Sequence, residues 1–249
     1  MKAIKITLFL IVASMFFGCG STLPDNYHMD KRYWDVTDYD EAIRYIKFVI
    51  PKEEGYPRLS DPMTAPVFMK LVDKQNVSIV LEDQQLGLKH KNEVSKEFFE
   101  VGKDILELYQ EIDTQDKFIY PVECVKSIEF FLHTQLLYFK IGNDLIIKDA
   151  VDPQDAEVQR VVRSNEQVIV NNFNIYLELL TKEDAFNDAA VGEYASMIDV
   201  YFDKLLKDYP NTDFTLLKDT AMAMSAKVKS EKLKKSLADL IEKINQKPV

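Results

Sequence analysis

The stretch PVECVKSIEFFLHTQLLYFKIGNDLII, residues 121–147, is the most apolar of the helices that the sequence predicts. Pro121 suits the first position of a helix, where its missing N–H has no partner to lose. Apolar residues then follow on nearly every side, which is typical of a buried central helix. Glu129, His133 and Lys140 interrupt the run too often for a membrane span. We therefore expect a long central helix with the rest of the chain packed around it.

Helical periodicity continues on both sides of this stretch. Between residues 92 and 113, apolar positions recur at alternating spacings of four and three, which predicts a helix with one apolar seam. These positions are Val94, Phe98, Val101, Ile105, Leu108 and Ile112. Asp152-Pro153 opens another helix, because a capping residue precedes a proline at the first turn. The apolar seam of that helix is predicted at Val158, Val161, Val168, Ile175 and Leu179.

The fold class follows from this periodicity and from the composition. After Gly20 only five glycines remain, which argues against an all-β domain with many tight turns. Short connections between successive helices favour antiparallel neighbours. We predict an all-α fold, an antiparallel helical bundle or array of about seven to eight helices. Residues 37–249 are predicted to form a single all-helical domain.

The beginning of the chain is a segment of another kind. Lys2 and Lys5 precede residues 6–17, an uncharged run that is shorter than the roughly 20 residues of a membrane-spanning helix. Gly18 and Cys19 follow it. A basic head, an apolar run and a small residue before the cleavage point are typical of an export signal.

The residues Phe16-Phe17-Gly18-Cys19 make this segment resemble a bacterial lipoprotein signal. Gly18 and Cys19 match the family pattern, whereas Phe16 and Phe17 stand where an aliphatic and a small residue are usual. The resemblance covers residues 2–19 only. It implies a signal peptide at residues 1–18 and a Cys19 that carries a diacylglyceryl group and an amide-linked acyl chain such as palmitate. The alternative is an ordinary secreted protein in which Cys19 is a free thiol.

The same resemblance implies a location. An Asp after the acylated Cys favours retention in the inner membrane, and Gly20 stands there instead. We therefore expect a lipid-anchored protein of the cell envelope, at the periplasmic face of the outer membrane. Residues 20–26 form a tether that spans at most about 25 Å. The segment 19–36 thus holds the lipidated Cys, the tether and an aromatic-rich lead-in, and keeps the body close to the bilayer.

Charge excludes some partners. Cleavage before Cys19 removes two lysines and no acid, which leaves 29 basic against 41 acidic side chains and a net charge of −12. Nucleic-acid binding depends on basic side chains that neutralise phosphates, so we expect no nucleic-acid partner. We also expect no attraction to anionic lipid, and contact with the membrane through the lipid anchor.

Cys124 has no CxxC spacing around it, and Cys19 is expected to be acylated. We therefore predict no disulfide framework and no zinc motif. Cys124 lies among apolar neighbours, which favours a small buried side chain.

Tyr33, Trp34 and Tyr39 form a candidate interaction surface. They belong to an aromatic-rich segment, and Trp and Tyr are common at protein interfaces and at membrane surfaces. The alternative is that these rings cover the helical core with their hydroxyls in solvent.

Glu129 and His133 form the core of a candidate polar cleft, because residues four apart share a helix face. Arg160 and Asn165 on the following helix are expected to line the same cleft. The pair could ligate a metal or act as an acid and a base. The alternatives are a polar pair satisfied inside the bundle and a buried Asn that sets helix register.

No catalytic motif accompanies these residues. The Glu-x-x-His repeats of diiron bundles, the His-Glu-x-x-His zinc motif, the nucleophile elbow and the phosphate loop are all missing. We therefore predict no enzyme activity, no catalytic or metal-binding residue and no cofactor. The first hypothesis is an interaction or scaffold protein with an unknown protein partner. The alternatives are an immunity-type lipoprotein that neutralises a toxin in the periplasm, and a helical enzyme or metal-binding protein that uses Glu129 and His133.

Overall fold

The computed structural model describes residues 23–51, 54–82 and 85–247. Within these ranges the chain is all-α, and the predicted array of about seven to eight helices is confirmed. The helices are α1 (Val36–Phe48), α2 (Ala65–Leu71), α3 (Lys74–Glu82), α4 (Leu88–Tyr109), α5 (Pro121–Asp149), α6 (Ala156–Glu178), α7 (Asp188–Met197), α8 (Asp203–Asp208), α9 (Thr215–Ser225) and α10 (Glu231–Asn245). A π turn, Ile198–Phe202, joins α7 to α8, and 3₁₀ turns span Asp25–Tyr27 and Leu179–Ala185.

Helix α5 is the central element, as its sequence predicts. It packs most extensively against α4 and also contacts α3, α6, α7 and the π turn. Its first half is buried on nearly every side, including Cys124, Ile128 and Leu132. Beyond Leu136 its side chains, except that of the buried Asn143, become half-buried or exposed. The second half of α5 therefore extends out of the core toward α6.

The contact between α4 and α5 depends on a glycine. A Cβ atom at Gly102 would lie 2.7 Å from the hydroxyl oxygen of Thr134 and 3.3 Å from the Cα of Phe131. Both distances are shorter than ordinary van der Waals contacts, and Phe131 offers backbone that cannot easily move. Gly102 thus allows α4 and α5 to approach each other closely.

The lead-in before α1 is packed onto the helical body. Tyr27 and Trp34 are buried and belong to the same core cluster as the helices. Asp25 and Asn26, which the sequence places in the tether, lie in the 3₁₀ turn. Asp35 then caps α1, with a reciprocal bond from its backbone N–H to the carboxylate of Asp38.

The buried face of α6 differs from the predicted seam. The residues in the core are Val162, Ile169, Val170, Phe173 and Leu177. Val168 and Ile175, which the heptad pattern places in the core, are 44% and 58% exposed. The predicted seam of α6 is therefore wrong at these positions, because the helix turns an adjacent apolar stripe toward α5 and α9.

Among residues 23–51, 54–82 and 85–247, no helix has the length and apolarity needed to cross a bilayer. The predicted signal peptide and Cys19 lie outside the described residues.

Candidate functional site

Glu129 and His133 face helix α3, where two residues with the same spacing meet them. The Lys74 Nζ lies 2.8 Å from a carboxylate oxygen of Glu129. One turn further along, the Ser78 Oγ lies 3.4 Å from the His133 Nε2. Because both pairs have i, i+4 spacing, the polar faces of α3 and α5 match turn by turn. We call Lys74, Ser78, Glu129 and His133 the polar brace.

Two residues of the helical segment formed by α7, the π turn and α8 act on the brace. The Lys74 Nζ lies 5.3 Å from the centre of the Tyr201 ring, which sits in the π turn. Lys204 lies on α8, and its positive charge acts on His133. The brace therefore connects α3, α5 and the C-terminal part of the chain.

Burial sets the protonation states in the brace. Burial lowers the pKa of His133 to about 3, and the positive charges of Lys204 and Lys74 act in the same direction. Burial opposes the charge of Lys74, but the hydrogen bond to Glu129 raises the pKa of Lys74 overall. Burial also lowers the pKa of Lys204. At neutral pH the brace thus holds a neutral imidazole beside an ion pair.

This arrangement favours a structural role over a chemical one. The carboxylate of Glu129 is already paired with Lys74. Among the residues that the structure describes, no second carboxylate or imidazole bonds to His133. Across the described part of the chain, no group of three or more His, Cys, Asp or Glu side chains is placed to hold a metal ion. The geometry matches the alternative of a polar pair that is satisfied within the bundle.

Arg160 and Asn165 do not join Glu129 and His133. Arg160 is exposed and makes two hydrogen bonds to Glu157, at 2.5 and 2.8 Å. Asn165 donates to the side-chain oxygen of Asn143 at 2.9 Å. Asn143 lies fourteen residues after Glu129 on the same helix, which corresponds to about 21 Å. The predicted polar cleft is therefore wrong as one site, because its members lie at separate levels of the bundle.

The three aromatic residues of the predicted interaction surface are mostly buried in the core. Trp34 and Tyr39 are fully buried, and their rings pack edge to face at 5.1 Å. The side-chain oxygen of Asn76 accepts from the backbone N–H of Trp34 at 2.7 Å, and the Asn76 amide donates back to the Trp34 carbonyl. Tyr33 alone of the three is exposed, with the Arg32 guanidinium 5.0 Å from its ring. The predicted interaction surface is therefore wrong for Trp34 and Tyr39.

An exposed apolar stripe on α6 was not expected at the surface. Its apolar members are the half-buried Val161 and the exposed Val168 and Ile175, which recur every seven residues, and Ser164 and Asn171 lie between them. We call these five residues the α6 stripe. The sequence pattern revealed this spacing but not that it faces solvent.

The α6 stripe has polar flanks. Arg163 is exposed and has no ion pair among the described residues. Gln167 donates to the Asn171 side chain at 3.3 Å, and Glu166 accepts from the hydroxyl of Thr212. At 23 residues, α6 is about 35 Å long, and the stripe runs along most of it. Such a β-branched heptad stripe between polar flanks is typical of a helix that pairs with another helix.

No protein-family model matches this chain, and neither a curated protein nor a solved structure does.

Proposed function

We propose that this chain is a lipid-anchored protein of the bacterial cell envelope that works by binding a helix of another protein. The exposed α6 stripe is the observation that carries the binding part of the proposal. The similarity of Phe16-Phe17-Gly18-Cys19 to a lipoprotein signal supports the anchor. The predicted location is the periplasmic face of the outer membrane.

The α6 stripe has the geometry that a partner helix needs. Covering Val168 and Ile175 would gain about 1 kcal/mol each, since roughly half of each side chain is in water and complete burial is worth about 1.5–3 kcal/mol. Val161 extends the same line by two helical turns. A partner helix with apolar residues at heptad spacing would bury all three at once.

Charge favours a different protein over a second copy of this chain. The chain that begins at Cys19 carries a net charge of −12. Two identical chains would repel each other across a small interface. The exposed Arg163 beside the stripe suits a partner helix with an acidic residue on its flank.

Site-specific photocrosslinking in intact cells tests the binding proposal. The full chain carries a photoreactive amino acid at position 168, or at Met69 on α2 as a control of similar exposure. We expect one envelope protein to be captured from position 168 and not from position 69. Mass spectrometry should place the crosslink on an amphipathic helix of that protein. In a second variant the photoreactive residue is moved to position 175, and adding Val168→Asp to it should abolish the capture.

Three outcomes would contradict the binding proposal. One is capture of a second copy of this chain, which would make the stripe a self-association face. Another is a similar mixture of products from positions 168 and 69. The third is no product from a correctly anchored chain.

Fractionation tests the anchor separately. Cys19→Ser removes the only acylation site that the resemblance implies, and we expect the variant to move from the membrane to the soluble fraction. If the variant stays with the membrane, the lipid anchor is refuted.

A further inference from the structure

Exposed apolar side chains surround the point where the described chain begins. Leu23 is half-buried and lines a cleft of about 320 Å³ together with Tyr27, Tyr45 and Met63. Met63 is 54% exposed on the rim of this cleft. The entry of the chain into the helical body is therefore bordered by apolar surface.

The end of α1 extends this surface. Phe48 is 74% exposed and Val49 is 59% exposed. Phe48 follows Tyr45 by one helical turn, and the Tyr45 ring packs edge to face on Tyr27 at 5.2 Å. The face of α1 that receives the lead-in thus continues directly into an exposed aromatic ring. A contiguous patch of exposed large apolar side chains is typical of a contact surface.

The length of chain before Leu23 decides what this surface meets. Cys19 is four residues before Leu23, so an anchored chain places Leu23 at most about 14 Å from the acylated cysteine. The headgroup layer on each side of a bilayer is about 5–8 Å thick. The side chains around Leu23 are therefore held within reach of the bilayer.

We propose that Phe48, Val49 and Met63 form a membrane-contacting face that inserts into the headgroup–acyl boundary of the leaflet that holds the lipid of Cys19. The proposal rests on the lipid anchor of the proposed function. As a consequence, the anchored body has one fixed orientation on the membrane, in which the surface around Leu23 faces the bilayer.

The charges around this face indicate how it binds. The Lys47 Nζ lies 5.8 Å from the centre of the Phe48 ring and can reach headgroup phosphates beside it. Glu54 and Asp61 also line the cleft, so the face has no basic excess. Apolar insertion is therefore the driving interaction, and anionic lipid should add little.

Depth-dependent fluorescence quenching tests the proposal on the full, acylated chain. Single variants Phe48→Cys, Met63→Cys and Met222→Cys carry an environment-sensitive fluorophore. Each is reconstituted in vesicles of phosphatidylethanolamine and phosphatidylglycerol whose acyl chains are brominated. Met222 is the control because it is similarly exposed and lies on α9, which packs against α6 and α10. Cys124 is fully buried and does not compete for the fluorophore.

We expect quenching at positions 48 and 63 to be several-fold stronger than at position 222. The same ratio is expected in vesicles of phosphatidylcholine alone. Equal quenching at the three positions, or none at positions 48 and 63, would overturn the membrane-contacting face. A strong dependence on phosphatidylglycerol would overturn apolar insertion as its cause.

Flotation of the same samples separates this inference from the anchor. If the chain floats with the vesicles but the fluorophore at position 48 is not quenched, the anchor holds and the face is refuted. If the chain does not float at all, the anchor is refuted and the face with it.

Discussion

Two adjacent residues of α6 give the sharpest test of its orientation. Ile169 is fully buried, and an Ile→Ala change at such a site removes about 2–5 kcal/mol of stability. Val168 is nearly half exposed, so little packing is lost when Ala replaces it. Ala also exceeds Val in helix propensity by roughly 0.6 kcal/mol, which offsets most of that loss. We expect Ile169→Ala to cost about 3 kcal/mol and Val168→Ala to cost less than about 0.5 kcal/mol.

Urea denaturation followed by far-ultraviolet circular dichroism measures this difference. With a slope of about 3 kcal/mol per molar urea for a chain of this size, Ile169→Ala should lower the midpoint by about 1 M. Val168→Ala should leave the midpoint nearly unchanged. Equal losses in the two variants, or a larger loss from Val168→Ala, would refute the orientation of α6 and with it the exposed stripe.

Four further predictions concern single positions. Gly102→Ala should cost about 1–3 kcal/mol of unfolding free energy, because its Cβ meets Thr134 at 2.7 Å. Gly142→Ala, also helical, meets only a flexible side chain and should be neutral or stabilising by up to about 1 kcal/mol. Since the pKa of His133 is lowered to about 3 in the fold, the unfolded chain binds the extra proton below pH 6.5. The free energy of unfolding should therefore fall by about 2 kcal/mol between pH 7 and pH 5. The variant His133→Gln should not show this loss, and an identical pH profile of stability in the wild-type and variant proteins would disprove the role of His133. Burial raises the pKa of Cys124 to about 12. Its thiol should therefore resist alkylation by iodoacetamide in the native protein and react only after unfolding, which mass spectrometry measures. Rapid labelling of the native protein would contradict the burial of Cys124.

The sequence predicts those elements whose pattern is long and has one interpretation. Helices α4 and α5 are of this kind, since their apolar spacing continues over many turns. Helix α4 nevertheless ends at Tyr109, short of Ile112, which instead pairs with Phe118 in a β-bridge. That Glu129 and His133 share one helix face follows from helical geometry alone. Their partners Lys74 and Ser78 are more than fifty residues away in the sequence, so the local pattern does not predict them.

Burial of the lead-in depends on contacts that local pattern cannot show. The segment around Trp34 has the composition of an interface, because charged side chains lie on both sides of this aromatic residue. Its backbone N–H and carbonyl are both bonded by Asn76, forty-two residues later in the chain. Without those two bonds a buried backbone at Trp34 would lack partners, so its burial is decided by α3 and not by its neighbours.

Helix α6 shows why a correct period does not fix which face is buried. Its sequence carries two adjacent apolar stripes, one through Val168 and Ile175 and the other through Ile169 and Phe173. Phe173 packs edge to face on Phe202 of the π turn at 5.2 Å, and this distant contact selects the second stripe for the core. The first stripe is then apolar surface that the core does not use. A helix that needed only its own bundle would require one of these stripes, and the first, through Val168 and Ile175, is the one that the proposed partner helix would cover.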